Sequence, residues 1–154
     1  WRVSQSYLGS WTELIVFKHD QLIDELKKRI LFMPQMFVDY SANIQDLDTK
    51  QLLLGLNQAL FDTGLVGHAY DIKSRTRVNS DDLIGLGNNQ QAFIFVQLAA
   101  LSGRTDEQKN KMSDALSDYL QSFDAYSADG LEVQLCVELV EMPKAFYRKV
   151  KVQR

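Results

Sequence analysis

The dipeptide Met33-Pro34 stands directly before an alternating run, Gln35-Met36-Phe37-Val38-Asp39-Tyr40-Ser41. An initiator methionine followed by proline is readily trimmed, and a chain starting at Met33 would then expose Pro34 as a free secondary amine. Such an amine is an effective general base when its surroundings bring its pKa near the working pH. It can take a proton from oxygen or carbon and return it to another carbon of a conjugated system. Inside a chain the same nitrogen is an amide with no basicity, and 32 residues precede Met33. The chemistry therefore turns on where the mature chain begins. The plain alternative is a strand-opening proline, tolerated there because its missing N–H costs little.

Other reactive groups are sparse. His19 and His68 are far apart and Cys136 is the single cysteine, which argues against a metal site. His68 follows Gly67 and reads as a turn residue, and Cys136 as a small packed residue on a strand. No nucleophile-base-acid set emerges. Gly85-Leu86-Gly87 lacks the strand and helix that a phosphate-binding loop requires.

The 154 residues suffice for one domain with a modest core. At 45% hydrophobic and 24% charged the composition is that of an ordinary globular protein. A net charge of -3 argues against nucleic acid as a partner, since phosphate binding wants a basic surface. One cysteine forbids an intramolecular disulfide and suits a reducing, cytoplasmic setting. No apolar run reaches the roughly 18 residues of a membrane span. Leu14 to Phe17 is too short for a signal sequence and is followed by Lys18-His19-Asp20.

Residues 1–32 carry no chemistry, and the expectation is an N-terminal extension of non-native or translated upstream sequence. The alternative is a genuine extension packing Trp11, Ile15 and Leu22. A short helix is expected over Asp20–Ile30, capped by Asp20, with Leu22, Ile23, Leu26 and Ile30 on one face after a Gly9-Ser10 turn.

From Met33 to Arg154 the pattern is two tandem β-α-β units. The first strand spans about Met36–Tyr40. Asp48 and Gln51 form a capping box for a helix with Leu52, Leu53, Leu56, Ala59, Leu60 and Thr63 inward, ended by Gly64. A strand over Ala69–Val78 places Tyr70, Ile72, Ser74, Thr76 and Val78 on one face and Asp71, Lys73, Arg75 and Arg77 on the other. After a polar loop over Asn79–Gln91, the apolar run Ala92–Leu98 predicts a strand buried on both faces. Thr105 and Gln108 form a second capping box, and Met112, Ala115, Leu116, Tyr119, Leu120 and Phe123 recur at helical spacing. Gly130 opens a last strand in which Leu131, Val133, Leu135, Val137 and Leu139 alternate with polar residues and Cys136, until Pro143 stops it. The tail from Lys144 reads as a short helix or an extended arm. The fold expected is α/β of the two-layer α+β kind: a four-stranded sheet with parallel pairs and two helices on one face. Its other face, expected to be largely apolar, requires cover from other chains.

These residues resemble a family. Met33-Pro34 opening a strand, Ser41-x-Asn43-Ile44, Ile72-Lys73-Ser74-Arg75 against that family's Ile-Arg-Ser-Arg, Ala92-Phe93, and Gly103-Arg104-Thr105 against its Gly-Arg-Ser are similar to 5-carboxymethyl-2-hydroxymuconate isomerases of the tautomerase superfamily. The resemblance spans about four fifths of the chain. It implies a homotrimer of tautomerase-like protomers and a cofactor-free isomerase, using neither metal nor organic cofactor, that acts on an unsaturated 2-hydroxy dicarboxylate in aromatic acid breakdown.

On that resemblance Pro34 is the base. Arg104, Arg75 and Lys73 are the cations that lower its pKa, bind substrate carboxylates and stabilise dienolate charge. Lys73 departs from the family's arginine and loses the planar fork that grips a carboxylate with two bonds, which leaves the substrate open. Alternation alone makes Lys73, Arg75 and Arg77 a solvated strand face. Arg104 could simply precede a helix, although a cation there opposes the helix dipole. If Pro34 stays internal, the same fold would serve as a binding or assembly module.

Overall fold

The structure, a computed structural model, describes residues 13–23, 33–87 and 90–154. The chain divides into two compact units, Trp1–Leu31 and Phe32–Arg154. In the first, residues 13–23 are helical. Asp20 lies inside this helix rather than at its start, because no breaker separates Glu13 from Asp20 and an acidic residue costs an interior turn little. Ile15 and Leu22 are exposed. Trp11, Leu26, Ile30 and the Gly9-Ser10 turn lie outside the described residues.

The second unit runs β1 (Gln35–Ser41), α1 (Thr49–Asp62), β2 (Lys73–Asn79), β3 (Gln91–Leu101), α2 (Asp106–Ser122) and β4 (Glu132–Met142). The Asp48 carboxylate accepts the Gln51 N–H at 2.9 Å and starts α1. The Asp48 N–H donates instead to the Ala125 carbonyl, so the return half of the expected capping box has no vacant donor. Around Thr105 both halves form, at 3.1 Å each. Gly64 ends the first helix at φ 72°, where a Cβ would be strained.

The sheet order is β2-β1-β3-β4, with β1/β2 and β3/β4 parallel and β1/β3 antiparallel. Both helices lie on one face. There Leu52, Leu56 and Leu60 of α1 and Met112, Leu116 and Leu120 of α2 close over Met36, Val38, Ile94, Val96 and Leu98. Burying each such side chain contributes about 1.5–3 kcal/mol. Among the described residues, every core residue falls at or after Met36, so the second unit has a core of its own.

Three expectations are corrected. Ala69–Asp71 is a 3-10 turn, and β2 begins only at Lys73, whose N–H reaches the Pro34 carbonyl at 3.2 Å. The preceding residues fold back because the Lys73 ammonium draws in the carbonyls of Tyr70 and Asp71, at 2.9 and 3.2 Å. The third strand continues through Leu101 and is fully buried only on its helix side until Leu98. The open face is mixed rather than largely apolar: Phe37, Phe93 and Phe95 sit among Gln35, Asp39, Arg75, Arg77, Gln97, Gln134 and Glu138. Alternation in β1, β2 and β4 sends their polar residues outward, so aromatic surface comes mainly from β3. Cross-strand pairs tie this face, with Arg77 to Asp39 at 3.2 Å and Gln97 to Glu138 at 3.0 Å. The tail forms a short 3-10 turn over Lys144–Phe146 and is irregular beyond it.

Candidate active site

The pairing pattern gathers four chain segments at one end of the sheet. Parallel pairing brings the starts of β1 and β2 together, with Gln35 opposite Lys73. Antiparallel pairing brings the end of β3 to the start of β1, with Gln35 opposite Ala99. Parallel pairing then aligns Leu101 with Met142. Pro34 is thus one residue before a strand start flanked by Lys73 on one side and by the exit of β3 on the other. Its side chain is fully buried, on the same side of the strand as Met36 and Val38.

Arg104 lies three residues beyond β3 and immediately before the Thr105 cap. Its Nη1 donates to the Leu101 carbonyl at 2.9 Å, which folds the side chain back towards the strand end. The residue is 9% exposed. Burial pushes the guanidinium below its ordinary value, while the nearby Glu141 carboxylate holds it up in part. It stays cationic at neutral pH, because an arginine starts far above it. A buried guanidinium at this place supplies a positive potential at the end of β3 in a poorly screened setting.

The structure therefore brings Pro34, Lys73 and Arg104 to one sheet end. Arg75 shares the open face with Lys73 but lies further from that end. It stands two residues along β2 on the open face, bonds to the Gln35 side-chain oxygen, and lies over the Phe37 ring at 4.3 Å. That face carries a groove of about 630 Å³ lined by Phe37, Asp39, Arg75, Arg77, Phe95 and Gln97. A larger cleft of about 850 Å³ between the helices is lined by Asp62, Glu107, Asp114 and Asp118 with one lysine, Lys111. Its charge would repel a dicarboxylate, so size does not select it. Among the described residues, no histidine, cysteine or carboxylate group is assembled as a metal site, and no helix is long and apolar enough to cross a membrane.

Sequence reasoning missed two residues at this end. Asp71 is buried, and its carboxylate accepts from Lys149 Nζ at 2.6 Å. The partners are 78 positions apart, and nothing in the local pattern of either signals the pair.

A family model described as 5-carboxymethyl-2-hydroxymuconate isomerase matches residues 34–153. A search of curated proteins by sequence returns no match. Among solved structures, a 5-carboxymethyl-2-hydroxymuconate isomerase from Deinococcus radiodurans R1 is similar at a TM-score of 0.69 and 22% identity, over 80% of this chain and 93% of that one. A 5-carboxymethyl-2-hydroxymuconate delta-isomerase is similar at 0.62 and 15% identity, over 80% and 91%. A fused 4-OT described as an asymmetric trimer is similar at 0.57 and 20% identity, over 75% and 91%. At these identities the structures establish the fold, and the family rests on the match that begins at Pro34. The chain belongs to the 5-carboxymethyl-2-hydroxymuconate isomerase family, on a tautomerase fold.

Proposed function

We propose that the mature protein begins at Pro34 and is a cofactor-free isomerase that moves a proton within an unsaturated 2-hydroxy dicarboxylate. The prolyl nitrogen, as a free amine, removes the proton of the 2-hydroxyl group. The electron pair shifts through the conjugated system as a dienolate, and the prolyl ammonium returns the proton to a distal carbon. The amine ends as it began, and the substrate has exchanged an enol for a ketone. Arg104 offsets the dienolate charge, and Lys73 and Arg75 bind carboxylates.

The observation that supports this reading is the meeting of Pro34, Lys73 and Arg104 at one sheet end. Burial and neighbouring cations both disfavour a protonated amine and bring its pKa towards neutrality. Arg75 takes part through the open face, so its role goes with a homotrimer in which that face is covered by further copies. The protein described as a trimer, on the same fold, supports that assembly.

The test compares the 154-residue chain with one starting at Pro34, using an enolised 2-oxo acid such as phenylenolpyruvate. The trimmed chain should tautomerise it and the longer chain should not, because an acylated nitrogen has no basic lone pair. N-terminal sequencing of the native product should begin at Pro34. Equal activity of the two forms would remove Pro34 as the base. A native product retaining Leu31-Phe32 would favour the binding or assembly module.

A further inference from the structure

The C-terminal segment is anchored at both edges of the sheet, at the end where Pro34 lies. Its first anchorage is at the exit of β3 and β4. The Ser102 N–H donates to the Met142 carbonyl at 2.9 Å, and the Lys144 N–H donates to Ser102 Oγ at 3.3 Å. Its second is at the turn before β2, where Lys149 Nζ meets the Asp71 carboxylate at 2.6 Å. Lys151 Nζ stands 5.1 Å from the Tyr70 ring centre, a further attachment to the same turn. In the order β2-β1-β3-β4, the strands between these anchorages are β3 and β1, and β1 starts beside Pro34. Strands spaced about 4.8 Å apart put β4 roughly 14 Å from β2, well within the reach of the residues between Pro143 and Lys149.

The second anchorage is a built contact. The Asp71 side chain is 7% exposed and that of Lys149 is 25% exposed. A carboxylate so poorly solvated needs its partner, since removing one member leaves the other charge buried and uncompensated. The same turn holds Lys73: its ammonium takes the carbonyls of Tyr70 and Asp71. Asp71 thus links the tail through its carboxylate and Lys73 through its backbone.

We infer that Lys149 latches the C-terminal segment as a strap across the Pro34 end of the sheet, and that Asp71 and Lys149 are positioning residues which set Lys73 for the substrate. The positioning half rests on the proposed function; the strap itself does not. A strap held this way limits exchange between the site and solvent and fixes one carboxylate-binding cation. Releasing it should weaken substrate retention more than it slows proton transfer.

Two measurements test the inference. In the 154-residue chain, Asp71→Asn and Lys149→Met should each quicken trypsin cleavage after Arg148 and Lys151 about fivefold or more, because a strap opened locally is cut faster. Lys149→Arg, which keeps the cation, should cut at the parent rate. If either variant does not fold, by near-ultraviolet circular dichroism, Lys149→Gln carries the test with the same expectation. Parent cleavage rates in the folded variants would overturn the strap. In the chain starting at Pro34, Lys149→Met should raise KM for a dicarboxylate several-fold with kcat within about twofold, and Lys149→Arg should restore KM. Unchanged KM with faster cleavage would overturn the positioning half alone. An inactive parent would count against the proposed function, while cleavage still decides the strap.

Discussion

At Arg104 two demands meet in one side chain. The guanidinium braces the end of β3 through the Leu101 carbonyl and also places a poorly solvated cation at the end of the sheet where Pro34 lies. Arg104→Ala should raise KM for a dicarboxylate and lower kcat, with a loss in kcat/KM of about a hundredfold to a thousandfold, as for other donors aimed at developing charge. Arg104→Lys should recover part of the loss. A purely bracing role predicts lowered stability with unaltered kcat/KM, so steady-state kinetics beside thermal melting separates the two. The prolyl amine adds a pH signature. In the proposed mechanism its neutral form is the base, so kcat/KM of the trimmed chain should rise with pH through the amine's pKa and then level off. Pro34→Ala leaves a primary amine and should keep only part of the rate. A flat profile across neutrality would remove the amine from the mechanism.

At the scale of elements, one glycine admits the close contact of α1 with Tyr119 of α2. A Cβ on Gly55 would stand 1.9 Å from the Tyr119 ring and hydroxyl, so the residue that weakens a helix by its freedom is what lets the aromatic lie across it. The Tyr119 hydroxyl donates to the Gln51 carbonyl at 3.1 Å, tying the two helices. Gly55→Ala should destabilise by about 1–3 kcal/mol through overpacking. In a cycle with Tyr119→Ala, denaturant unfolding should give a double mutant less damaged than the sum of the singles. Burial, and secondarily the Asp48 carboxylate, pushes the Tyr119 phenol up from its ordinary value. The neutral form is thus favoured by folding. The native state holds more protons than the unfolded one as pH passes about 10, the ordinary phenol value, and stability falls with further rise. Melting temperature should drop more steeply above about pH 10 in the parent than in Tyr119→Phe. Equal slopes would show that Tyr119 does not contribute.

For the whole molecule, the proposed trimer would form through the open sheet face. Three phenylalanines surrounded by paired charges and amides match an interface with an apolar centre and a polar rim. Light scattering of the chain from Pro34 should give the mass of three copies, and Phe37→Glu, placing a charge beside Arg75, should shift it to smaller species. A stable monomer of the parent at micromolar concentration would contradict the trimer.

The sequence by itself determined the two β-α-β units, the helix stripes, the Thr105 capping box and the outward direction of Lys73, Arg75 and Arg77. Each depends on spacing within a few residues, where period 2 or 3.6 leaves little choice. It also pointed to Met33-Pro34 and Gly103-Arg104-Thr105 as matches to a family. Only the tertiary structure decided that β1 and β3 pair antiparallel, and so that Pro34, Lys73 and Arg104 share one end of the sheet while Arg75 stands on its open face. Nor could local pattern show that Asp48 would give its N–H to Ala125, that Ala69–Asp71 would turn instead of extending β2, or that Asp71 would meet Lys149. Those outcomes depend on which distant partner reaches a polar group first. Distant partners become neighbours only once the sheet order has formed.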